Sequence, residues 1–295
     1  MKGSTVLALL AGASGLLSAV DLQPGTVEAW DAYIHSADLR TDGQRPFLWA
    51  DESPDRIAKV RGGEVVIAPV VGDGTKDVPN GLIHDWIGAV FIPGATIDGL
   101  ASVMHDYDRY KDYYKPAVVD SKAIACTSAD QEFSMIWKHR ALFVTSVIRS
   151  RYQSHDVQLD ARRGYNVADT TEVRQIEDYG HAGAHALPPG TGNGFVWRLH
   201  SMIRYEERDG GVYLELEAIA LSRDIPAAFR GLVKPVVNHI STNSLTATLR
   251  QTRDAVKSNA EYRARRVPNQ AVGKIAQPSE PPATKASSDN QRIGG

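Results

Sequence analysis

Two segments near the C-terminus, residues 195–206 and 211–223, constrain the fold most strongly, because together they predict a β-hairpin with one apolar face. Asp209-Gly210 lies between them, and this dipeptide is typical of hairpin turns. If Glu206 pairs with Gly211, the loop comprises residues 207–210. The apolar side of the hairpin then carries Phe195, Trp197, Leu199, Ile203, Leu214, Leu216 and Ala218. A slip of one residue would mix apolar and charged side chains, so this arrangement of faces is favoured.

The other face of the predicted hairpin is rich in charged residues. It carries Arg198, His200, Arg204, Glu215 and Glu217. These residues could form a buried acid–base set or a solvated ladder of opposite charges. We predict the solvated ladder, because antiparallel sheets commonly keep one face in water.

The rest of the pattern predicts an α+β domain. A strand over residues 82–92 and a helix over residues 96–104 precede β-like segments between residues 131 and 176. After the hairpin, Pro235 is expected to interrupt the chain before a final helix whose apolar stripe includes Leu245 and Leu249. An apolar sheet face needs a covering layer, and this helix is the natural cover.

A cavity is expected between the covering helix and the sheet. Strands longer than one helix can cover leave space between sheet and helix, and Ala218 and Ala220 add room on the inner face. Two alternatives remain open. The cavity could be packed shut, with Phe195 and Trp197 filling it in a structural or interaction domain. It could instead belong to a cyclase or hydrolase type of enzyme.

An enzyme of that type would need a polar group inside the cavity with a matched partner. The candidates are His84, Asp85, His139 and His200. Neighbouring residues on a strand point to opposite faces, so only one of His84 and Asp85 can face the cavity. No catalytic residue is assigned from these patterns.

The two ends of the 82–260 segment resemble a known superfamily. IHDWIGAVFIPGATIDGLASVMHDYDRYKDYYKPAV, residues 83–118, is similar to the opening of START-like domains, including a "D-Y-x-R-Y" stretch at Asp106, Tyr107, Arg109 and Tyr110. GVYLELEAIALSRDIP, residues 211–226, followed by a long helix, is similar to the family's last strand and gripping helix. The START-like, or SRPBCC, superfamily includes coenzyme Q-binding and polyketide cyclase-like proteins.

The resemblance implies a helix-grip fold, with a curved antiparallel sheet wrapped around a long C-terminal helix. It also implies that the cavity binds an apolar small molecule or lipid, such as a quinone, a sterol or a polyketide-like compound, without a cofactor or metal. The expected ligand-binding residues are Trp197, Leu199, Ile203, Leu214, Leu216, Ala218, Ala220, Tyr107 and Tyr110. For the two tyrosines, packing of the corner between helix and sheet is an equal alternative.

The N-terminus predicts export. Lys2, an apolar run over residues 6–17 and the small residues Ser18-Ala19 are typical of a secretory signal peptide over residues 1–19. We therefore expect a secreted or periplasmic protein. No cysteine follows the run to carry a lipid anchor, and the run is too short to span a bilayer, so any membrane contact would be peripheral.

The other boundaries follow from composition. Residues 20–81 are predicted to form an N-terminal extension with a helix and a short strand, residues 82–260 the ligand-binding domain, and residues 261–295 a disordered tail rich in Pro and Ser. The formal net charge of -2 argues against a nucleic-acid partner. Cys126, the single cysteine, is expected to be buried. His181 and His185 have a metal-ligand spacing, but neighbouring glycines predict a loop, and no metal site is expected there.

Overall fold

The computed structural model describes residues 22–41, 46–127, 129–141, 144–192, 196–224 and 227–266. The predicted signal peptide lies outside these residues, as do Phe195 and most of the predicted tail. No helix in the described ranges is long and apolar enough to cross a bilayer.

The described residues form an α+β fold of five α-helices and ten strands. The helices are α1 Pro24–Thr41, α2 Pro54–Arg61, α3 Ile97–Met104, α4 Tyr110–Tyr113 and α5 Ala227–Arg266, with short 3-10 turns at Trp49–Glu52 and Tyr107–Arg109. The strands are β1 Val66–Pro69, β2 Thr75–Val78, β3 Gly81–Pro93, β4 Val118–Cys126, β5 Asp130–Ala141, β6 Val144–Asp160, β7 Arg163–Glu177, β8 His185–Ala186, β9 Val196–Arg208 and β10 Gly211–Arg223.

The strands form an antiparallel sheet in the order β1-β3-β10-β9-β7-β6-β5-β4. Strand β2 pairs with β3, and β8 pairs with β7. Helix α5 packs against one face of the sheet, which we call the inner face, chiefly over β3. Leu245 and Leu249 of α5 join Val90 and Leu214 in the main apolar cluster. The helix-grip layout predicted from the sequence is therefore present.

The β9–β10 hairpin has the predicted faces but a different register. Arg208 pairs with Gly211, and Glu215 pairs with Arg204. The turn is therefore the two residues Asp209 and Gly210, which both have positive φ, 54° and 76°. The predicted pairing of Glu206 with Gly211 is wrong by two residues, because a tight turn of this kind matches the twist of the strands. A shift of two keeps every side chain on its side.

The opposite, outer face of the sheet is covered by the N-terminal segment, here residues 22–41 and 46–61. Trp30, Tyr33 and Ala37 of α1 pack on Ile83 and Ile219. Leu48, Ala50 and Val60 pack on another part of the same face, against Ala89 and Tyr213. The N-terminal extension thus forms a second layer that continues the core of the domain.

This cover makes the expected solvated ladder wrong. His200, Arg204, Glu215 and Glu217 are all buried, with Glu215 at 0% exposure, and only Arg198 stays partly exposed. The charged face of the hairpin was correctly separated from the apolar face. The sequence of the hairpin itself carries no signal that a distant segment lies on top of it.

Three smaller expectations also need correction. Helix α5 runs through Pro235 without interruption and continues to Arg266, so the first six residues of the predicted tail are helical. Cys126 is exposed at the end of the edge strand β4. The N-terminal extension has two short strands, β1 and β2, where one was predicted.

Candidate ligand-binding cavity

A cavity of about 350 Å³ lies between the inner face of the sheet and α5. Strands β3, β5, β6, β7, β9 and β10 supply its walls, and α5 closes it with residues that include Ile240, Ser241, Ser244, Leu245 and Thr248. The volume is within the range of small-molecule sites, about 300–1,000 Å³. Most of the lining is apolar or aromatic, with scattered hydroxyl, amide and imidazole groups.

Seven of the nine residues predicted to bind ligand lie on the cavity wall: Tyr107, Tyr110, Leu199, Ile203, Leu216, Ala218 and Ala220. The five of them that belong to β9 and β10 gather there because alternate residues of these strands share the inner face. Ala218 and Ala220 take little space opposite α5, and their short side chains help to leave the cavity unfilled.

The remaining two predicted residues, Leu214 and Trp197, do not line the cavity. Leu214 faces the same side but lies in the closed core with Val90 and Leu249. Trp197 packs on the outer face with Trp30. The pairing of β9 with β10 shifts between Leu221 and Ser222, so the strict alternation assumed for Trp197 fails at this bulge.

The end of the cavity nearest β5 and β6 is an aromatic wall. The rings of Tyr107 and Phe133 are stacked with centroids 4.2 Å apart, and Phe133 stacks on Tyr152 at 4.9 Å. The edge of Tyr110 meets Phe133 at 5.9 Å. Trp137 donates from Nε1 to the hydroxyl of Tyr152 over 3.1 Å. This end therefore presents flat, fixed π-surfaces.

Most of this wall was not predicted from the sequence. Phe133, Met135 and Trp137 of β5 line the cavity, as do Ile148 and Tyr152 of β6. The signal was available, because Phe133, Met135 and Trp137 occupy alternate positions of one strand and so share a face. The tyrosine stretch has both roles that were considered for it, since Tyr107 packs the corner and also lines the cavity.

The tyrosine hydroxyls of the wall are held by polar partners. The hydroxyl oxygens of Tyr107 and Ser154 are 3.3 Å apart and form a hydrogen bond. The hydroxyl oxygen of Tyr114 lies 3.1 Å from Thr252 Oγ1 of α5. The Tyr110 hydroxyl donates to the backbone carbonyl of Met104. Burial raises the pKa values of Tyr107, Tyr114 and Tyr152 to about 12. These phenols are therefore neutral in the physiological range.

The four candidate acid–base residues are divided between the two faces. His84 and His139 line the cavity, and His84 Nε2 lies 2.8 Å from Ser222 Oγ. Asp85 accepts from Tyr33 of α1. His200 borders the cavity, but its imidazole points to the outer face, with Nε2 3.6 Å from Asp38 of α1 and Nδ1 2.9 Å from Asp169 of β7. The sheet itself therefore separates the carboxylate from the cavity histidines.

The outer face holds a buried network of charges. Arg40 of α1 binds Glu217 at 2.7 Å and lies 3.4 Å from Asp85. Arg204 also lies 3.4 Å from Glu217. Burial raises the pKa of Asp85 to about 7, and that of Glu215 to about 7. These groups join the N-terminal segment to the sheet and lie on the face of the sheet opposite the cavity.

The His181–His185 segment behaves as a loop. His185 forms the two-residue strand β8 and lies 3.7 Å from Glu177, both exposed. The described residues contain no group of three His, Cys, Asp or Glu side chains placed to hold a metal ion.

The described residues have a helix-grip layout, with a long C-terminal helix packed on one face of an antiparallel sheet. No family model matches the chain, and no curated protein matches it. Similar solved structures include a STAR-related lipid transfer protein from Xanthomonas axonopodis, which is 17% identical with a TM-score of 0.40, the match covering 63% of this chain and 99% of that one.

An aromatase/cyclase from a Streptomyces species is 14% identical with a TM-score of 0.40, the match covering 60% of this chain and 96% of that chain. A START superfamily protein from Mycobacterium smegmatis is 7% identical with a TM-score of 0.37, the match covering 60% of this chain and 98% of that chain. At these identities and TM-scores, neither a ligand nor an activity of this chain follows from the similarities. What the cavity binds has to be inferred from this chain's own residues.

Proposed function

We propose that this protein binds an apolar small molecule or lipid in the cavity between the sheet and α5, as a carrier or sensor. The observation that carries the proposal is the unfilled space of about 350 Å³ with a mainly apolar and aromatic wall. Burying apolar ligand surface there would contribute about 25 cal/mol per Å² before the cost of immobilising the ligand.

Two features support binding over a packed structural domain. Trp197, which was considered as a filler of the cavity, packs on the other face of the sheet. The inner face of β10 has alanine at positions 218 and 220, where a larger side chain would close the space. An enzymatic role has less support, because Asp85 and the His200 imidazole point away from the cavity toward α1.

Filling the cavity tests the proposal. Ala218→Leu places a larger side chain on the cavity wall, and we expect it to weaken binding of the neutral fluorescent probe N-phenyl-1-naphthylamine by at least fivefold. Ala125→Leu makes the same change at an exposed position of β4 and is expected to leave the affinity unchanged. Fluorescence titration of the full chain measures both.

Two outcomes would count against a binding role. In one, the wild-type protein gives no saturable signal with the probe, no thermal shift with quinones, sterols or long-chain alcohols, and purifies without a ligand by native mass spectrometry. In the other, the probe binds Ala218→Leu and wild type equally well, which would place its site elsewhere.

We also propose that residues 1–19 are a signal peptide that directs export of the protein. The support is the sequence alone, namely a basic residue, an apolar run and small residues before Val20. Expression of the full chain in a Gram-negative host should place it in the periplasmic fraction with an intact mass that lacks these residues. A full-length mass in the cytoplasmic fraction would overturn this proposal.

A further inference from the structure

The described part of the cavity lining carries no permanently charged side chain. Its polar side chains are serine, threonine, asparagine, histidine and tyrosine, and no Lys, Arg, Asp or Glu is among the described residues that line it. The lack of such side chains in the lining contrasts with the composition of β9 and β10, which form part of the wall and carry several charged residues. Their alternation places Arg204, Glu215 and Glu217 on the outer face, away from the cavity.

The outer charges are also engaged with one another or with the N-terminal segment. Glu217 binds Arg40 and lies 3.4 Å from Arg204, and Glu215 accepts from the backbone N–H groups of Trp49 and Ala50 at 2.8 and 2.7 Å. A ligand in the cavity is therefore separated from these charges by the sheet and cannot use them as counter-ions.

Burial keeps several titratable groups on the cavity wall in their neutral forms. Burial lowers the pKa of His139, which favours its neutral imidazole at pH 7. Burial also raises the pKa of Tyr152 to about 12 and that of Tyr110 well above its ordinary value. Neither His139 nor these two tyrosines supply charge at neutral pH.

An ion that enters such a site loses its hydration without gaining a counter-charge, and isolated buried charges are strongly disfavoured. A neutral molecule has no such cost. The hydroxyl groups of Ser150, Ser201, Ser241 and Thr248 can each donate or accept a hydrogen bond, so a neutral polar atom can be accommodated in several orientations.

Resting on the proposed cavity function, we propose that the natural ligand is electrically neutral: an apolar, ring-containing molecule whose polar atoms are hydroxyl or carbonyl groups. Fatty-acid anions and other ligands with a charged group inside the cavity are disfavoured. The stacked rings of Tyr107, Phe133 and Tyr152 provide the flat surface on which such a ring system would pack.

A matched pair of probes tests this inference. N-phenyl-1-naphthylamine and 1-anilinonaphthalene-8-sulfonate share the same aromatic body, and only the second carries a permanent negative charge. We expect the full chain at pH 7.5 to bind the neutral probe at least tenfold more tightly. Only binding that Ala218→Leu weakens is counted, because this restricts the comparison to the cavity.

A second variant tests the physical reason. Ser244 lines the cavity and is also exposed, which places it at the rim, so Ser244→Lys can bring a cation to the cavity without being buried. We expect this change to tighten binding of the sulfonate probe severalfold and to leave the neutral probe within twofold. Ser258→Lys, at an exposed position of the same helix away from the cavity, should change neither affinity.

The outcomes separate this inference from the proposed function. If both probes bind with similar affinity, or the sulfonate binds more tightly, and Ala218→Leu weakens both, the cavity binds ligands but the neutral class is wrong. If Ser244→Lys does not favour the sulfonate over the neutral probe, the missing counter-charge is not the cause of the preference. If neither probe shows binding sensitive to Ala218→Leu, the proposed function loses its support as well.

Discussion

Glu215 shows how one buried side chain joins two parts of the chain. Its carboxylate has 0% exposure and accepts the backbone N–H groups of Trp49 and Ala50, so it satisfies the start of the 3-10 turn at Trp49–Glu52. A solvated Glu215 would tolerate an amide, but a buried acceptor of two N–H groups would not, because the amide NH₂ of glutamine would face one of these donors.

We therefore predict that Glu215→Gln lowers the free energy of unfolding by about 1–3 kcal/mol. Glu177→Gln, at an exposed position of β7, should change it by less than about 0.5 kcal/mol. Urea denaturation followed by tryptophan fluorescence measures both. Equal, small effects would show that the segment around Trp49 does not depend on this carboxylate.

The ionisation of Asp85 is expected to make the stability of the folded protein depend on pH. Burial, with the nearby Glu217 charge, raises its pKa to about 7, although the Tyr33 hydroxyl and Arg40 oppose the shift. A carboxyl group whose pKa is higher in the folded state binds more protons there than in the unfolded chain. Its contribution to stability is then largest at low pH and is lost as the pH rises from about 4 to about 7.

We expect the wild type to lose roughly 2–3 kcal/mol of stability through this group between pH 5 and pH 8. Asp85→Asn removes the titration but keeps the shape, so its stability should change less over the same interval. Chemical denaturation at several pH values compares the two proteins. A wild-type curve that runs parallel to that of Asp85→Asn would mean that Asp85 is ionised throughout.

At the scale of elements, helix α1 contributes side chains to the core, although it belongs to the segment that was predicted to be an N-terminal extension. Trp30 is 4% exposed and packs with Ile83, Ile219 and Trp197, whereas Leu39 of the same helix is 57% exposed. The helix thus presents one face to the sheet and one to solvent, as a surface helix of a globular domain does.

Truncating Trp30 tests whether α1 is part of the folded unit. Trp30→Ala should cost about 3–5 kcal/mol of unfolding free energy, because it leaves a large void against the sheet. Leu39→Ala should cost less than about 0.5 kcal/mol. Equilibrium denaturation gives both values. A cost for Trp30→Ala as small as that for Leu39→Ala would show that α1 does not stay docked.

The two faces of the β9–β10 hairpin follow directly from its sequence, although the predicted pairing is wrong by two residues. Side-chain alternation determines which residues share a face, and a register error of two residues preserves that property. Which residue of β9 pairs with which residue of β10, in contrast, depends on the length of the turn. The dipeptide Asp209-Gly210 is compatible with both a two-residue and a four-residue loop, so it did not determine this length.

At the scale of the whole molecule, the sheet is covered on both faces. Helix α5 and the cavity lie on the inner face, and the N-terminal segment covers β3 and β10 on the outer face. A boundary at residue 82 therefore cuts through a shared core. Two layers on one sheet are a common solution for a domain of this size.

We predict that a fragment of residues 82–266 does not form a stable monomer. It would expose the outer-face residues Ile83, Ala89, Tyr213, Ile219 and Leu221, together with the buried charges of Glu215 and Glu217. The fragment should aggregate or show a non-cooperative thermal transition, whereas residues 22–266 should unfold cooperatively. Circular dichroism and size-exclusion chromatography compare them. A soluble fragment with a cooperative transition would support the boundary at residue 82.

The sequence alone determined the α+β layout, the hairpin faces, the terminal helix and most of the β9–β10 side of the cavity. These features depend on local periodicity, which the order of residues expresses directly. Only the tertiary structure decided that the charged face is buried, that Trp197 points away from the cavity and that β5 and β6 supply an aromatic wall. Each of these depends on contacts between residues far apart in the chain, such as Arg40 with Glu217 or Trp30 with Trp197, and no local pattern specifies which distant surfaces will meet.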